Sequence, residues 1–274
     1  GAEVVVRSAD GAPLWATDAG PRDGTPVVLA HGWTNDRRIW GAVAQRLVDR
    51  GHRVVMWDHR GHGRSGTGDD GFSLDALAGD VRAVLEHFDL RGAVLAGHSM
   101  GGMAAQAFAA LHADAFASRV RAVGLVSTAC DGLRGAAPRA DTVGPWLIAH
   151  PRLERAMASA RLGPALMRNT VGKAAALSHL DAMRATFVGT TPDARAGCLT
   201  AILGLDLAAT LPALDKPAVV LVGSHDRLTP PVHARRLVML LPDARLEVLP
   251  EAGHMLPFER PDHVAEVLDE LTAA

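Results

Sequence analysis

The hexapeptide Gly97-His98-Ser99-Met100-Gly101-Gly102 carries a serine with glycine two positions away on each side. The apolar run Ala93-Val94-Leu95-Ala96 precedes it, and a helix-like stretch over residues 103–111 follows. Where a strand turns sharply into a helix, the residue at the turn is strained, and a Cβ at either flanking position would meet strand or helix. Such a turn lifts the Ser99 hydroxyl clear of the carboxyl edge of a sheet and aims the Met100 amide at the same space. One turn would then supply a nucleophile and one oxyanion donor. The pattern G-x-S-x-G is weak by itself, and its place between strand and helix gives it weight.

A nucleophilic serine needs a base within reach and an acid to orient that base. Of thirteen histidines, His254 meets the requirement. It lies in Ala252-Gly253-His254-Met255, between a strand-like run at 245–249 and the last helix, and should project from the same sheet edge as Ser99. Asp226, in Gly223-Ser224-His225-Asp226-Arg227, leaves the end of the preceding strand, while Asp131 after an earlier strand is the rival acid. The chain order serine, aspartate, histidine distinguishes one serine-hydrolase arrangement from the others. A second oxyanion amide is expected from the loop after the strand at 25–30, which selects Trp33, whose indole would also wall the acyl pocket. His31 and His98 are expected to satisfy buried backbone groups, and Asp58 with Arg60 to form a salt-bridged loop.

Those residues require a frame. Strands are expected at 3–8 and 13–17, joined by a hairpin turn at Asp10-Gly11, and then at 25–30, 53–57, 93–96, 120–127, 218–222 and 245–249. Between them the spacing predicts a helix after the cap Asp36, another over 73–88 capped by Ser73, and later ones at 232–240 and 261–271. Strands alternating with helices imply an α/β fold with a mostly parallel sheet. The glycine-rich stretch from Asp58 to Gly66 lacks the order of a dinucleotide-binding loop. From 129 to 211 there is no strand signal, and breaks at Pro138, Gly144-Pro145, Gly163-Pro164, Gly172 and Pro192 divide a helical stretch. This predicts a core domain of residues 1–128 and 212–274 and a helical cap insertion at 129–211, over the edge where open α/β sheets bind ligands. The apolar stock of that insertion is Trp146, Leu147, Ile148, Met157, Leu166, Met167, Met183 and Phe187, expected to form mostly cap core, with a minority facing the site.

Composition narrows the function. At 48% hydrophobic residues and a net charge of −2, the chain shows no field suited to nucleic acid or a membrane surface, so a small molecule is the expected partner. The absence of an apolar run of the ~20 residues a span needs, and of a basic-then-apolar start, predicts a cytoplasmic protein. The two cysteines, Cys130 and Cys198, are then expected to be reduced.

Taken together, His31-Gly32-Trp33, the run from Asp58 to Ser65, Gly97 to Gly102, Gly223 to Asp226 and Gly253-His254 resemble the α/β-hydrolase superfamily, in particular small bacterial serine esterases and lipases with a helical cap. The resemblance implies an eight-stranded sheet with one antiparallel edge strand, helices on both faces, and Ser99, Asp226 and His254 as a catalytic triad. It implies hydrolysis of carboxylic esters of small to medium apolar substrates through an acyl-enzyme, with no metal or organic cofactor. Trp33 and Met100 would form the oxyanion hole, and Trp33, Trp146, Met167, Phe187 and Met255 would bind substrate. Relatives that open epoxides or cleave carbon–halogen bonds carry aspartate at the turn, and epoxide openers use cap tyrosines; this chain has Ser99 and no tyrosine. Acyl transfer, thioester cleavage, perhydrolysis and carbon–carbon bond hydrolysis use the same triad and stay open, as does ligand binding on a hydrolase scaffold.

Overall fold

Apolar side chains on both faces of the central strands dictate a sheet covered on both sides. In a computed structural model, residues 1–133, 140–172 and 175–274 are described, with the backbone alone for 140–142 and 169. The chain order is β1 (Ala2–Arg7), β2 (Pro13–Ala19), β3 (Pro26–Ala30), α1 (Gly41–Asp49), β4 (Arg53–Trp57), α2 (Leu74–His87), β5 (Ala93–His98), α3 (Met100–Leu111), α4 (Ala113–Arg119) and β6 (Val120–Val126). Then come α5 (Ala140–Ala149), α6 (Pro151–Ala158), α7 (Leu162–Met167), α8 (Leu177–Gly189) and α9 (Pro192–Leu203). The sheet resumes with β7 (Ala218–Gly223), α10 (Pro231–Leu240), β8 (Ala244–Leu249), α11 (Leu256–Glu259) and α12 (Pro261–Glu270).

The eight strands lie in the order β1-β2-β4-β3-β5-β6-β7-β8. From β4 to β8 every pairing is parallel. The one antiparallel strand is not the edge strand expected above: β2 runs against both β1 and β4, so the edge strand β1 points with the rest. Because the hairpin reverses the chain a second time, the reversed strand sits one place in from the edge.

Alternation divides the sheet's side chains between two cores. Val28, Ala30, Leu95, Val220 and Val222 join the cluster with Leu77, Val81, Ala104, Phe108 and Leu237, from α2, α3 and α10. Their neighbours Val27, Leu29, Val94, Ala96, Val219 and Leu221 join the opposite cluster with Val43, Leu47, Val264 and Leu268, from α1 and α12. The layers thus form a sheet between helices.

Local signals set several helix starts. Ser73 caps α2, its hydroxyl accepting from the Ala76 amide at 3.1 Å. Asp36 accepts from the Arg38 amide at 2.9 Å, but the segment it opens is a single 3₁₀ turn, Arg37–Trp40, before α1. Thr191 caps α9 with Pro192 in the first position, where a missing N–H costs nothing. The expected break at Gly144-Pro145 is absent: α5 runs through Pro145, and Gly144 lies against α9, where a Cβ would stand 3.7 Å from Leu199. Packing against α9 overrides the local preference there. The break expected at Pro138 lies outside the described residues. The short helices α4, α7 and α11 span too few residues to show a period. No helix among the described residues is long and apolar enough to cross a membrane. Cys130 and Cys198 are free and buried, and burial pushes both thiols up to about 12.

Candidate active site

Parallel strands place their carboxyl ends along one edge, and the turn after β5 stands at its centre. Ser99 adopts φ 51° and ψ −117°, a left-handed conformation uncommon for a residue with a side chain. Its neighbours are glycine because nothing larger fits. A Cβ on Gly97 would stand 2.3 Å from the Gly101 carbonyl carbon, and one on Gly101 would stand 2.3 Å from the Ala30 oxygen. The strained turn is tied down by Ser99 N–H donating to the Val126 carbonyl at 2.9 Å and by Thr128 Oγ1 donating to the Ser99 carbonyl at 2.7 Å. Met100, the first residue of α3, carries an amide without an intrahelical acceptor, facing outward from the helix start.

Asp226 and His254 follow β7 and β8. His254 Nδ1 stands 2.9 Å from Asp226 Oδ2. That carboxylate also accepts from Thr229 Oγ1 and from the Leu228 and Thr229 amides, each at 2.9 Å. Burial alone would raise the Asp226 carboxyl, but the His254 charge and hydrogen bond, with the Thr229 bonds, outweigh it and hold the group below its ordinary value. An ionised carboxylate only accepts, so Nδ1 carries the proton and Nε2 is left as the basic nitrogen. Asp131, the rival acid, is engaged elsewhere, 3.3 Å from Arg236.

The histidine loop is held by groups that no local signal announced. Glu259 accepts from the Gly253 amide at 2.9 Å, the Met255 amide at 3.0 Å and the Gly172 amide at 2.7 Å, bracketing His254 and tying its loop to the segment before α8. The His254 amide donates to the Thr170 carbonyl at 2.9 Å, and its own carbonyl accepts from His98 Nε2 at 2.9 Å. A Cβ on Gly253 would meet the Gly172 nitrogen at 2.4 Å.

His98 therefore serves backbone, as expected, and so does His31. Nδ1 of His31 donates to the Gly32 carbonyl at 2.7 Å, while its Nε2 accepts from the His59 amide at 2.8 Å. His62 continues the network, accepting from the Thr34 amide at 3.2 Å and donating to the Arg60 carbonyl at 2.9 Å. Desolvation drives all of these imidazoles towards the neutral form: His31 to about 4, His62 and His98 to about 3, and His59 well below its ordinary value. Asp58 and Arg60 do not pair as expected. Asp58 faces Arg37 at 2.7 Å, and Arg60 is held by Asp80 at 2.6 Å and Asp10 at 2.8 Å. Arg37 in the turn after β3 reaches Asp58, while Asp80 on α2 and Asp10 in the β1–β2 turn reach Arg60, so charges brought in by other elements take the place of the local pair.

Ser99, His254, Trp33 and Met255 line one cavity of about 250 Å³, with Met167 and Phe187 on its far wall. Trp146 does not belong to it: 61% exposed, it packs on His150 on the outer side of α5. The expectation that only a minority of the helical stock faces the site is overturned, because Ile148, Met157, Leu166 and Met183 line the cavity as well. Six of the eight side chains in that stock line the cavity. Sequence reasoning missed Thr34, Asn35, Leu153, Thr170 and Leu228 in the lining, although Thr34 and Asn35 adjoin Trp33 and could have been included. No Asp, Glu, Lys or Arg lies among the lining residues described. Trp33 is fixed by its indole, which donates to the Arg195 carbonyl at 3.0 Å. Arg195 is fully buried and joins α9 to α6 through Glu154 at 2.5 Å and to α8 through the Phe187 carbonyl at 3.1 Å.

Residues 25–261 match the family model of the alpha/beta hydrolase fold. Over 97 residues the chain is 45% identical to a non-heme chloroperoxidase from Streptomyces lividans and 42% identical to a bifunctional esterase/perhydrolase from Acinetobacter calcoaceticus. Each match covers 35% of this chain and 35% of the relative, so the aligned stretch spans about a third of these proteins. A thermophilic esterase from Thermogutta terrifontis superposes with a TM-score of 0.82 at 27% identity, covering 98% of this chain and 97% of that one.

Proposed function

Because this chain belongs to the α/β-hydrolase family, we propose that it is a serine hydrolase cleaving neutral carboxylic esters of small to medium apolar substrates through an acyl-enzyme. One observation carries the reading: a strained Ser99 shares a cavity with a His254 whose Nδ1 is bonded to Asp226 at 2.9 Å. In the first step Ser99 Oγ attacks the ester carbonyl while His254 Nε2 takes the hydroxyl proton. The oxyanion accepts from the Trp33 and Met100 amides, each such donor typically contributing about 3 to 4 kcal/mol to the transition state. Asp226 holds the imidazole in its tautomer and stabilises the imidazolium. His254 then gives its proton to the departing alcohol, and the reverse sequence with water frees the acid and restores Ser99. The uncharged lining favours neutral substrates, since a buried unpaired charge would have no counter-ion there. Residues 129–211 act as the cap that closes the cavity over Ser99.

A burst and steady-state assay with p-nitrophenyl esters of increasing chain length tests the proposal. Hydrolysis by the native protein should fall by about 10⁶-fold in kcat on Ser99→Ala. Turnover that survives the substitution would refute Ser99 as nucleophile. Peroxide as acyl acceptor is a second reading, favoured by the esterase/perhydrolase similarity. Acyl-enzyme and hydrogen peroxide would give a peracid and free serine, so peracid formed in the same assay with added peroxide identifies it.

A further inference from the structure

Asn35 is only 6% exposed and lines the cavity that Ser99 and His254 share. Its Nδ2 donates to the Trp33 carbonyl at 3.1 Å. Reversing the amide would set two oxygens against each other, so this bond fixes which atom is which. The Oδ1 accepts no hydrogen bond from the described residues. With Nδ2 spent on the Trp33 carbonyl, Oδ1 is the acceptor that this cavity-lining side chain has left to offer a ligand. The two threonine hydroxyls of the wall are less selective. Thr170 Oγ1 already donates to the Met167 carbonyl at 2.7 Å. The Thr34 hydroxyl both donates and accepts, and so takes either kind of partner. Around them the wall is leucine, isoleucine, methionine and phenylalanine.

We infer that Asn35 Oδ1 determines specificity by accepting a hydrogen bond from the substrate, so that the preferred esters are apolar but carry one hydroxyl or N–H donor. The inference rests on the hydrolase reading above. A plain alkyl ester entering the cavity would strip water from Oδ1 and return nothing, whereas an ester with a donor would replace that water. Sites built to bond a substrate hydroxyl discriminate by this asymmetry against analogues that lack it. Position sets where the donor must lie. Asn35 is two residues from Trp33, whose amide serves the oxyanion, a chain distance of at most ~7 Å. The donor therefore stands a few bonds from the scissile carbonyl, on the acyl chain or on the alcohol.

The test compares methyl butyrate with its 2-, 3- and 4-hydroxy analogues, and propyl acetate with 2- and 3-hydroxypropyl acetate, in a pH-indicator assay. Each hydroxylated ester is scored by its kcat/KM relative to the unsubstituted parent, on the native protein and on Asn35→Leu. At least one should show a preference about tenfold larger on the native protein, equivalent to 1.4 kcal/mol. Taking ratios within each protein cancels damage from losing the Trp33 bond and the intrinsic reactivity of each ester. Asn35→Ala provides the same comparison should the leucine variant fail to fold. Preferences unchanged by both substitutions, or no preference on the native protein, would overturn the inference and leave the hydrolase reading standing. Failure of the native protein to hydrolyse any of these esters would overturn both.

Discussion

The neutral histidines beneath the site predict steep acid destabilisation. His31, held at about 4, and His62 and His98, held at about 3, are buried and uncharged at neutral pH, whereas in the unfolded chain each takes its ordinary value of about 6.5. A base with a depressed native value contributes stability that is complete above its unfolded value and is lost as pH falls towards the native one. Between roughly pH 6 and 4 the unfolded chain therefore binds three more protons at these sites, a slope of about 4 kcal/mol per pH unit. From pH 7 to 5 the loss is about 5 kcal/mol, comparable with the whole stability of many domains. Asp58 and Asp80, raised by burial, act in the opposite sense, but with His59 also depressed there are four imidazoles against two carboxyls. Asp226 is lowered, so its own loss falls at still lower pH. Urea unfolding at pH 7, 6 and 5 measures the slope. His62→Gln, which preserves an acceptor for Thr34 and a donor for Arg60, should lower it by about 1.4 kcal/mol per unit. A stability constant to within about 1 kcal/mol from pH 7 to 5 would refute the reasoning.

Two further substitutions probe the scaffold. Glu259→Ala deprives the Gly172, Gly253 and Met255 amides of their acceptor. It should cost about 3 kcal/mol in urea unfolding and lower kcat about tenfold or more, since the peptides on both sides of His254 lose their anchor. Gly97→Ala drives a Cβ to within 2.3 Å of the Gly101 carbonyl. It should destabilise by roughly 3 kcal/mol or leave the protein insoluble, and a variant of native stability would show that the turn relaxes more easily than its packing implies.

What was legible in the sequence follows from which interactions are local. Ser99, Asp226, His254 and Trp33 each leave the carboxyl end of a parallel strand, and parallel strands bring those ends to one edge whatever the side chains beyond them do. Choice of partner across the fold has no such rule. Asp58 and Arg60 are two residues apart and would pair in an isolated loop, yet Arg37 comes from the turn after β3 and Asp80 from α2 to claim them separately. Glu259 reads as one more helix glutamate until α11 carries it beneath the His254 loop. The same distinction explains the cavity wall. Helical period marks Trp146 and Phe187 alike as apolar, but a helix lying across a sheet edge has no register with it, so rotation about the helix axis decides which one meets Ser99. Phe187 is turned inward and held there by Arg195, whereas Trp146 is turned out. Strand ends thus decide where Ser99, Asp226, His254 and the turn from Trp33 to Asn35 meet, whereas contacts between helices decide which apolar side chains wall the cavity. That wall can change through α5 to α8 while the strand-end residues stay in place.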